Sequence, residues 1–251
     1  MCNPNASYWP AKKSRAGTDV EVKTADGGAM MVHVSRPEGE GPYPTVLVLP
    51  DYFDPEHYYH DLADQFAAAG YLGVCPNVFH RQGKLPEQSH EAAGQRIGSV
   101  GDAQVYADVD STLAYLKAEG LLGELAICGF CWGGRMSYLV AAAHPETRLL
   151  LPFYGHLSAW SGPDGEKPGD PMVAADKINA RVVGSYGGLD ESIPVSAVRE
   201  MERRLRDRGV TVELKVYEGA PHCFFRTPEW EEASDDAWSR TLHALEETVA
   251  Q

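Results

Sequence analysis

The chain has 251 residues, 43% of them hydrophobic and 23% charged, which are values typical of a globular protein and exclude a disordered one. Acidic residues outnumber basic ones by 36 to 22, and the formal net charge of −14 argues against a nucleic acid or anionic membrane bound through a broad basic face. No apolar run reaches the roughly 18 residues of a membrane span.

The first residues contain no apolar stretch of the kind found in a signal peptide. We therefore expect a cytoplasmic protein, either a monomer or a weak homodimer. The five cysteines are interpreted as thiols rather than as a disulfide framework, because a reducing compartment keeps cysteines reduced.

The predicted elements alternate between strand and helix along almost the whole chain. After a hairpin with the turn Ala25-Asp26-Gly27-Gly28, the predicted strands cover residues 45–50, 71–76, 124–130, 148–154, 181–186 and 211–217. The predicted helices cover 56–69, a stretch ending at 117, 132–143, 194–208 and 231–249, and long loops are predicted at 77–99 and 155–176.

This alternation predicts an α/β fold, with a mostly parallel sheet of about eight strands and helices on both faces. The opening hairpin adds antiparallel strands at the N-terminal edge. We expect residues 1–251 to form a single domain without a separate cap. Ligands of such folds bind beyond the carboxyl ends of the strands, so the residues that follow each strand are the candidates for function.

Cys131 lies at the most informative of these positions. The segment Gly129-Phe130-Cys131-Trp132-Gly133 follows an apolar strand and opens a helix, the pattern of a nucleophile elbow with cysteine in place of serine. Small residues on either side let strand and helix approach closely, and the helix N-terminus favours a thiolate. The N–H of Trp132 would face a developing oxyanion. The alternative is a buried cysteine in an ordinary turn.

A base and an orienting acid are expected after later strands, in the order nucleophile, acid, histidine. Asp190 follows the strand at 181–186, and His222 follows the strand at 211–217. His222 would take the proton of the thiol, and Asp190 would hold the imidazole in the required tautomer. A loop aspartate or histidine means little by itself, but the order of all three favours a catalytic triad.

The sequence resembles the dienelactone hydrolases, or carboxymethylenebutenolidases, of the α/β-hydrolase fold. The resemblance rests on GFCWGG around Cys131, GGLDESIP around Asp190, PHCFFR around His222 and CPNVFHRQG at 75–83. It implies hydrolysis of a small-molecule ester or lactone by a Cys-His-Asp triad, with no metal and no organic cofactor.

The resemblance also implies roles in substrate binding. Arg81 and Arg226 match two arginines that bind the substrate carboxylate in the family, and the N–H of Tyr52 matches the second oxyanion donor. The alternative interpretation is that Arg81 and Arg226 are solvated surface residues without a role in binding. If the arginines have no such role, a general carboxylesterase or thioesterase acting on an uncharged ester is the second interpretation.

Three features depart from the family pattern. Asp51, beside Phe53 in the expected substrate site, replaces a glutamate that helps to ionise the thiol. Ser192 replaces a bulky aromatic residue, which predicts a wider or more polar pocket. The loop 155–176 is longer than the family connection. These departures leave the identity of the substrate open.

The sequence also contains patterns that suggest other functions. Cys128 and Cys131 form a C-x-x-C pair, which would suggest redox chemistry, although Cys128 falls inside a strand. His57 and His60 share a helix face but have no evident third metal ligand. His156 follows a strand and could either reach the pocket or simply be solvated. A binding protein that has lost turnover is disfavoured, because all three triad residue types are present.

Overall fold

The computed structural model describes residues 17–53, 58–160, 163 and 167–250. Within these residues, eight strands form one sheet in the order β1-β2-β4-β3-β5-β6-β7-β8. The strands are β1 (Thr18–Lys23), β2 (Ala29–Ser35), β3 (Tyr43–Leu49), β4 (Leu72–Pro76), β5 (Leu122–Phe130), β6 (Leu149–Phe153), β7 (Arg181–Gly187) and β8 (Val212–Tyr217). Strand β2 runs antiparallel to β1 and β4, and the remaining pairs are parallel.

Seven α-helices accompany the sheet in the described residues. They are α1 (Tyr58–Ala68), α2 (His90–Gly98), α3 (Asp102–Ala118), α4 (Trp132–Ala143), α5 (Pro171–Ala174), α6 (Val195–Asp207) and α7 (Glu231–Thr248). Helix α1 packs on β2 and β4 and meets α7 through the rings of Phe66 and Trp238, while α4 packs on β5 and β6 beside α3. The predicted α/β class, with its antiparallel N-terminal hairpin, is confirmed.

The central strands are continuous apolar runs because helices cover them. All five residues of β6 are buried, as are the last six of β5. Parallel strands that are covered in this way lose the alternation of polar and apolar residues. The carboxyl ends of β5, β7 and β8 therefore emerge from a rigid core, which fixes the residues that follow them.

Two segments predicted to be loops contain helices. The segment 77–99 includes α2, whose first turn is capped by Ser89, with the Ala92 N–H donating to Ser89 Oγ at 3.2 Å. Helix α2 buries Ala93, Arg96 and Ile97, so one of its buried positions is charged and its apolar pattern is weak. The segment 155–176 includes the short helix α5. The prediction of uninterrupted loops was wrong in both places.

The expectation that all the cysteines are free thiols is wrong for one of them. Cys75, Cys128 and Cys131 are free and buried, but Cys223 is disulfide-bonded. Disulfide formation depends on how closely two Cα atoms approach in the folded chain, which spacing along the sequence does not give. Cys2 lies outside the described residues. No helix among these residues is long and apolar enough to cross a membrane.

His33 connects the edge hairpin to helix α1. Its Nδ1–H donates to Asp19 Oδ1 at 2.8 Å, and its Nε2–H donates to Asp64 Oδ1 at 2.9 Å. The Gly17 N–H also donates to Asp64 at 2.9 Å. Burial opposes a charge on His33, but its bonds to the two carboxylates outweigh burial and raise its pKa above 6.5. The imidazolium thus ties β1, β2 and α1 together.

The same region brings the possible ligand atoms of Asp19, His33 and His60 within 4.8 Å of one another. The rings of His33 and His60 are stacked, with centroids 4.2 Å apart and planes only 4° from parallel. An imidazole binds a metal through a nitrogen in its ring plane, and one cation cannot lie in two parallel planes this far apart. The arrangement therefore does not fit a metal site. His57 lies outside the described residues.

We expect replacement of His33 by asparagine to destabilise the fold in a pH-dependent way. The raised pKa of His33 gives stability that is present below pH 6.5 and lost as the pH rises through the folded pKa. Burial opposes the charge on Asp64, but bonds from His33 and Ser35 lower its pKa, so its contribution is lost in acid below 3.8. The loss should be about 1.5–3 kcal/mol near pH 5.5 and smaller near pH 9, measured by urea unfolding.

The control is His243→Asn, at an exposed histidine of α7. A His33→Asn penalty that is equal at the two pH values would show that the histidine contributes by packing and not by charge.

Candidate active site

Cys131 occupies a strained turn between β5 and α4. Its φ of 54° and ψ of −113° lie outside the regions that non-glycine residues ordinarily adopt. The turn is held by the Cys131 N–H, which donates to Phe153 O at 3.0 Å, and by the Arg135 N–H, which donates to Cys131 O at 3.1 Å. The surrounding structure therefore fixes this conformation, as a nucleophile elbow requires.

The flanking glycines permit the close approach that the sequence pattern predicts. A Cβ at Gly133 would lie 2.2 Å from Pro50 O and 2.3 Å from Leu49 O, at the end of β3. A Cβ at Gly129 would lie 2.2 Å from Gly133 O. No side chain fits at either distance, so the first turn of α4 can pack directly against β3 and β5 because both residues are glycine.

His222 and Asp190 form a buried pair at the ends of β8 and β7. The Nδ1–H of His222 donates to Asp190 Oδ2 at 2.5 Å, and each residue is only 7% exposed. Burial disfavours the charged carboxylate, but the hydrogen bonds from His222 and Ser192 outweigh it and hold the pKa of Asp190 below its usual range. The pair is thus an oriented imidazole on an ionised carboxylate.

The structure brings this pair to the elbow. Cys131 Sγ and a ring nitrogen of His222 lie within 4.8 Å of each other. Cys131 itself is 2% exposed and stands at the N-terminus of α4, where the helix dipole favours negative charge on the sulfur. The three residues that the sequence places after separate strands therefore share one site.

Ser192 holds the Asp190 carboxylate in place, a role that the family resemblance did not suggest. Its N–H and its hydroxyl both donate to Asp190 Oδ1, at 2.9 and 2.7 Å, and the Ile193 N–H donates to the same oxygen at 3.1 Å. One carboxylate oxygen thus binds the loop and leaves the other for His222. An Asp-x-Ser turn was the signal in the sequence, because aspartate commonly accepts bonds from the backbone two residues later.

The segment after β3 is fixed beside the elbow. Asp51 is fully buried, and its Oδ1 accepts the Phe53 N–H at 3.0 Å. The Tyr52 carbonyl accepts a bond from Arg96 Nη2 at 2.9 Å, and the Tyr52 hydroxyl is hydrogen-bonded to His90. Burial, with negative charge on Cys131 and Asp51, raises the pKa of the Tyr52 phenol. Phe53 is also buried.

Arg81 is engaged by two carboxylates. Its Nε donates to Asp26 Oδ2 at 2.8 Å, and its Nη1 donates to both oxygens of the fully buried Asp108 at 2.9 Å. Arg81 Nη2 forms no hydrogen bond to a carboxylate of the described residues. Only the backbone of Arg226 is described, and it ends the short 3₁₀ turn Phe224–Arg226 after His222.

Arg81 lines a cavity of about 470 Å³ with Lys84 and Arg96. Cys131 and His222 do not line this cavity, but two contacts between side chains connect its wall to Trp132. The guanidinium of Arg96 lies 4.0 Å from the ring centroid of Phe79, and the rings of Phe79 and Trp132 are 5.0 Å apart. The cavity is therefore basic, and ring contacts link its Arg96 to Trp132, the residue after Cys131.

The two cysteines of the C-x-x-C pair differ in environment. Cys128 lies inside β5 and is fully buried, and burial raises its pKa well above 9.0. A thiol that resists ionisation is a poor partner in thiol–disulfide exchange. This environment disfavours the redox interpretation of the pair.

Arg135 is a buried cation that the sequence did not single out. It lies on α4, is 1% exposed, and forms two bonds to Asp102 at 2.8 and 2.9 Å. Its Nη2 also donates to Gly169 O at 2.7 Å, and the Gly169 N–H donates to Asp102 at 2.6 Å. Arg135 thus fastens the segment 155–176 to α3 and α4. An arginine just after a nucleophile elbow, inside an apolar helix, was the available signal.

Comparisons with known proteins agree with this architecture. The model of the dienelactone hydrolase family matches residues 30–249. A Methylorubrum extorquens protein named "Putative carboxymethylenebutenolidase" is 32% identical over 229 residues, covering 88% of this chain and 78% of the relative. A Bradyrhizobium protein named "Probable 2-oxo-3-(5-oxofuran-2-ylidene)propanoate lactonase" is 30% identical over 229 residues, covering 89% and 91%.

Solved structures show the same fold. A crystal structure from Klebsiella pneumoniae described as a "Putative Dienelactone Hydrolase" matches with a TM-score of 0.81 and 33% identity, over 90% of this chain and 96% of that one. The metagenomic phosphotriesterase P91, at 18% identity, shares the fold with a TM-score of 0.75 over 93% and 99% of the two chains. This chain therefore belongs to the dienelactone hydrolase family of hydrolases.

Proposed function

We propose that this protein hydrolyses an ester or lactone through a triad of Cys131, His222 and Asp190. The observation that carries the proposal is a cysteine in a strained elbow, near a histidine that donates to a buried aspartate at 2.5 Å. Nucleophile, base and orienting acid each follow a different strand of the rigid core. The working unit is one α/β-hydrolase domain, with a small molecule as its substrate and no cofactor in the reaction.

The proposed reaction has two halves. The thiol proton passes to His222 while Cys131 Sγ attacks the carbonyl carbon, and a tetrahedral intermediate forms. This intermediate collapses to a thioester as the carbon–oxygen bond breaks and His222 returns the proton to the leaving oxygen. Water then attacks the thioester, gives a proton to His222 and releases the acid, and the sulfur recovers its proton.

Backbone groups are proposed to stabilise the oxyanion. Trp132 is the first residue of α4, so its N–H has no partner within the helix and faces the elbow end. The second proposed donor is the N–H of Tyr52, in the segment held by Asp51 and Arg96. Removing one donor of this kind typically costs about 10²–10³ in kcat.

A lactone that carries a carboxylate is the substrate class we favour. The name of the Bradyrhizobium relative specifies such a compound, a furanone attached to an oxo acid. In this chain the basic cavity beside Phe79 offers Arg81 and Arg96 as partners for an anion. Local cations of this kind would offset the repulsion that a net charge of −14 exerts on an anionic substrate.

An uncharged ester is the second candidate, and one observation favours it. Arg81 already contacts Asp26 and Asp108, whose two negative charges exceed its own. If these pairs persist with substrate bound, Arg81 has little attraction left for a carboxylate. A general carboxylesterase or thioesterase would then describe the activity better.

The proposal is tested by trapping the thioester. The purified protein is mixed with p-nitrophenyl acetate and with a panel of lactones, and product formation is followed while acid-quenched samples are measured by intact mass spectrometry. We expect turnover, with the added acyl group mapped to the peptide that contains Cys131. Limiting iodoacetamide should label Cys131 before the other free thiols, Cys75 and Cys128, because the helix N-terminus favours its thiolate. Absence of all turnover, or acylation elsewhere, contradicts the proposal.

Replacement of Arg81 by alanine distinguishes the two substrate classes. A hydrogen bond to a charged group contributes about 1.5–3 kcal/mol, so the loss in kcat/KM should be about 10- to 150-fold on a carboxylate-bearing lactone. On p-nitrophenyl acetate the loss should be small. Because the buried Asp108 loses its arginine and keeps the weaker contact with His80 Nε2 at 3.3 Å, the thermal midpoint should also fall, and the assays should be run well below it.

The matched control is Arg148→Ala, at an exposed arginine that pairs with Glu124. Equal losses on both substrates for Arg81→Ala would assign the arginine a purely structural role and favour the uncharged ester.

A further inference from the structure

A second imidazole lies at the Cys131 thiol. The Nε2 atom of His156 is 3.9 Å from Cys131 Sγ, within hydrogen-bond distance for sulfur. The rings of His156 and His222 are 5.3 Å apart between centroids, and both side chains are buried. The sulfur is therefore flanked by two histidines, although the triad requires one.

The position of His156 is fixed by the fold. Its backbone N–H donates to Cys131 O at 3.4 Å, and its ring packs edge to face with the ring of Trp160, with centroids 4.6 Å apart. The preceding Gly155 lies directly against Gly134 in the first turn of α4, where an added Cβ would be 2.6 Å from the Gly134 carbonyl carbon. The backbone that carries His156 is thus packed on the nucleophile helix.

The two histidines are in different electrostatic environments. Asp190 accepts the Nδ1–H of His222, and no described carboxylate is bonded to His156. The charged and titratable groups that act on His156 are His222, Asp190 and Arg135. Burial first, and then the positive charges of His222 and Arg135, lower the pKa of His156 to about 4, with Asp190 opposing them. His156 is therefore neutral at neutral pH, and His222 is the imidazole that can accept the proton.

We propose that the neutral His156 donates its Nε2–H to the Cys131 thiolate and holds the sulfur at the elbow, acting as a positioning residue. This inference rests on the proposed function, in which Cys131 is the nucleophile. Two hydrogen-bond directions are open to an imidazole beside a sulfur, and donation to a thiolate is charge-assisted and hence the stronger. The thiol proton goes to His222, so His156 stays neutral throughout and lowers the pKa of the thiol.

The test measures the thiol without any turnover. The ultraviolet absorbance of the thiolate is titrated against pH, and the same titration of Cys131→Ala is subtracted to remove the other thiols and the tyrosines. In His156→Phe the ring remains but the donor is lost, and the apparent pKa of the Cys131 thiol should rise by about one to two pH units. His156→Gln keeps an amide N–H and should give an intermediate value.

The control is His144→Phe, at a similarly buried histidine just past the far end of α4. It should leave the titration of Cys131 unchanged. An unchanged thiol pKa in His156→Phe, or a lowered one, overturns the inference, and His156→Gln provides the same comparison if the phenylalanine variant does not fold.

The outcomes also separate this inference from the proposed function. A raised thiol pKa in a protein that hydrolyses no ester would retain the role of His156 and reject the activity. Hydrolysis through Cys131 with an unmoved thiol pKa would retain the activity and reject the role of His156. In an active enzyme, His156→Phe should also shift the acid limb of kcat/KM to higher pH, by the same amount as the titration.

Discussion

Replacing Cys131 by alanine is expected to lower kcat/KM on p-nitrophenyl acetate by about 10⁴- to 10⁶-fold, the range seen when the nucleophile of a hydrolytic triad is removed. The elbow presents one side chain to the substrate, and alanine leaves His222 with no nucleophile to deprotonate. The strained φ of 54° disfavours alanine no more than cysteine, so the fold should persist. The measurement is steady-state hydrolysis together with circular dichroism.

A matched substitution shows whether the loss is specific to the elbow. Cys75→Ala removes another buried free thiol, on β4, and should leave kcat/KM within about twofold of the wild type while costing some stability. If Cys131→Ala kept more than roughly a tenth of the activity, the cysteine could not be the nucleophile in the sense of triad catalysis.

Replacing Asp190 by asparagine should lower kcat by about 10⁴-fold, the size of this effect in a serine-protease triad. The carboxylate oxygen bonded to His222 Nδ1 lies 2.5 Å away and is an acceptor, whereas an amide NH₂ there is a donor. The imidazole would then carry its proton on Nε2, where it cannot take the thiol proton. The amide oxygen of the variant can still accept the bonds from Ser192 and Ile193, so the loop should hold its shape.

The adjacent carboxylate provides the comparison for this variant. Glu191 is exposed, and Glu191→Gln changes the net charge by the same amount one residue away. It should leave kcat nearly unaltered. Similar losses in both variants would point to long-range charge instead of the tautomer of His222, and preserved activity in Asp190→Asn would remove the aspartate from the triad.

The convergence of the three proposed triad residues could be predicted from the sequence because it depends on topology. In a mostly parallel sheet the residues after the strands meet at one edge, and Cys131, Asp190 and His222 directly or closely follow β5, β7 and β8. The glycines at 129 and 133 indicated that the backbones of strand and helix approach too closely there for any side chain to fit. At these positions the local sequence pattern predicts the same conformation that the sheet topology requires.

The remainder of the site depends on contacts between distant segments. The partners of Arg81 are 55 and 27 residues away in the sequence, and no periodicity relates them. Helix α2 was not predicted because one of its buried residues is an arginine. A charged residue at a buried position breaks the apolar periodicity by which a helix is recognised in the sequence. The disulfide of Cys223 and the approach of His156 to the thiol are likewise properties of the folded chain.

The bond from Arg135 to Gly169 has a consequence for how this enzyme could change its substrates. The segment 155–176 is attached at one end by Gly155, packed on Gly134, and near the other by Arg135 and Asp102. Both attachments use α4, the helix that begins directly after Cys131. Exposed positions between them, such as Ser158, Ala159 and Lys167, can therefore change, in evolution or in a combinatorial library, while the elbow keeps its geometry. Selection for a new substrate would act more freely there than on the buried Leu157 or on Trp160, which packs against His156.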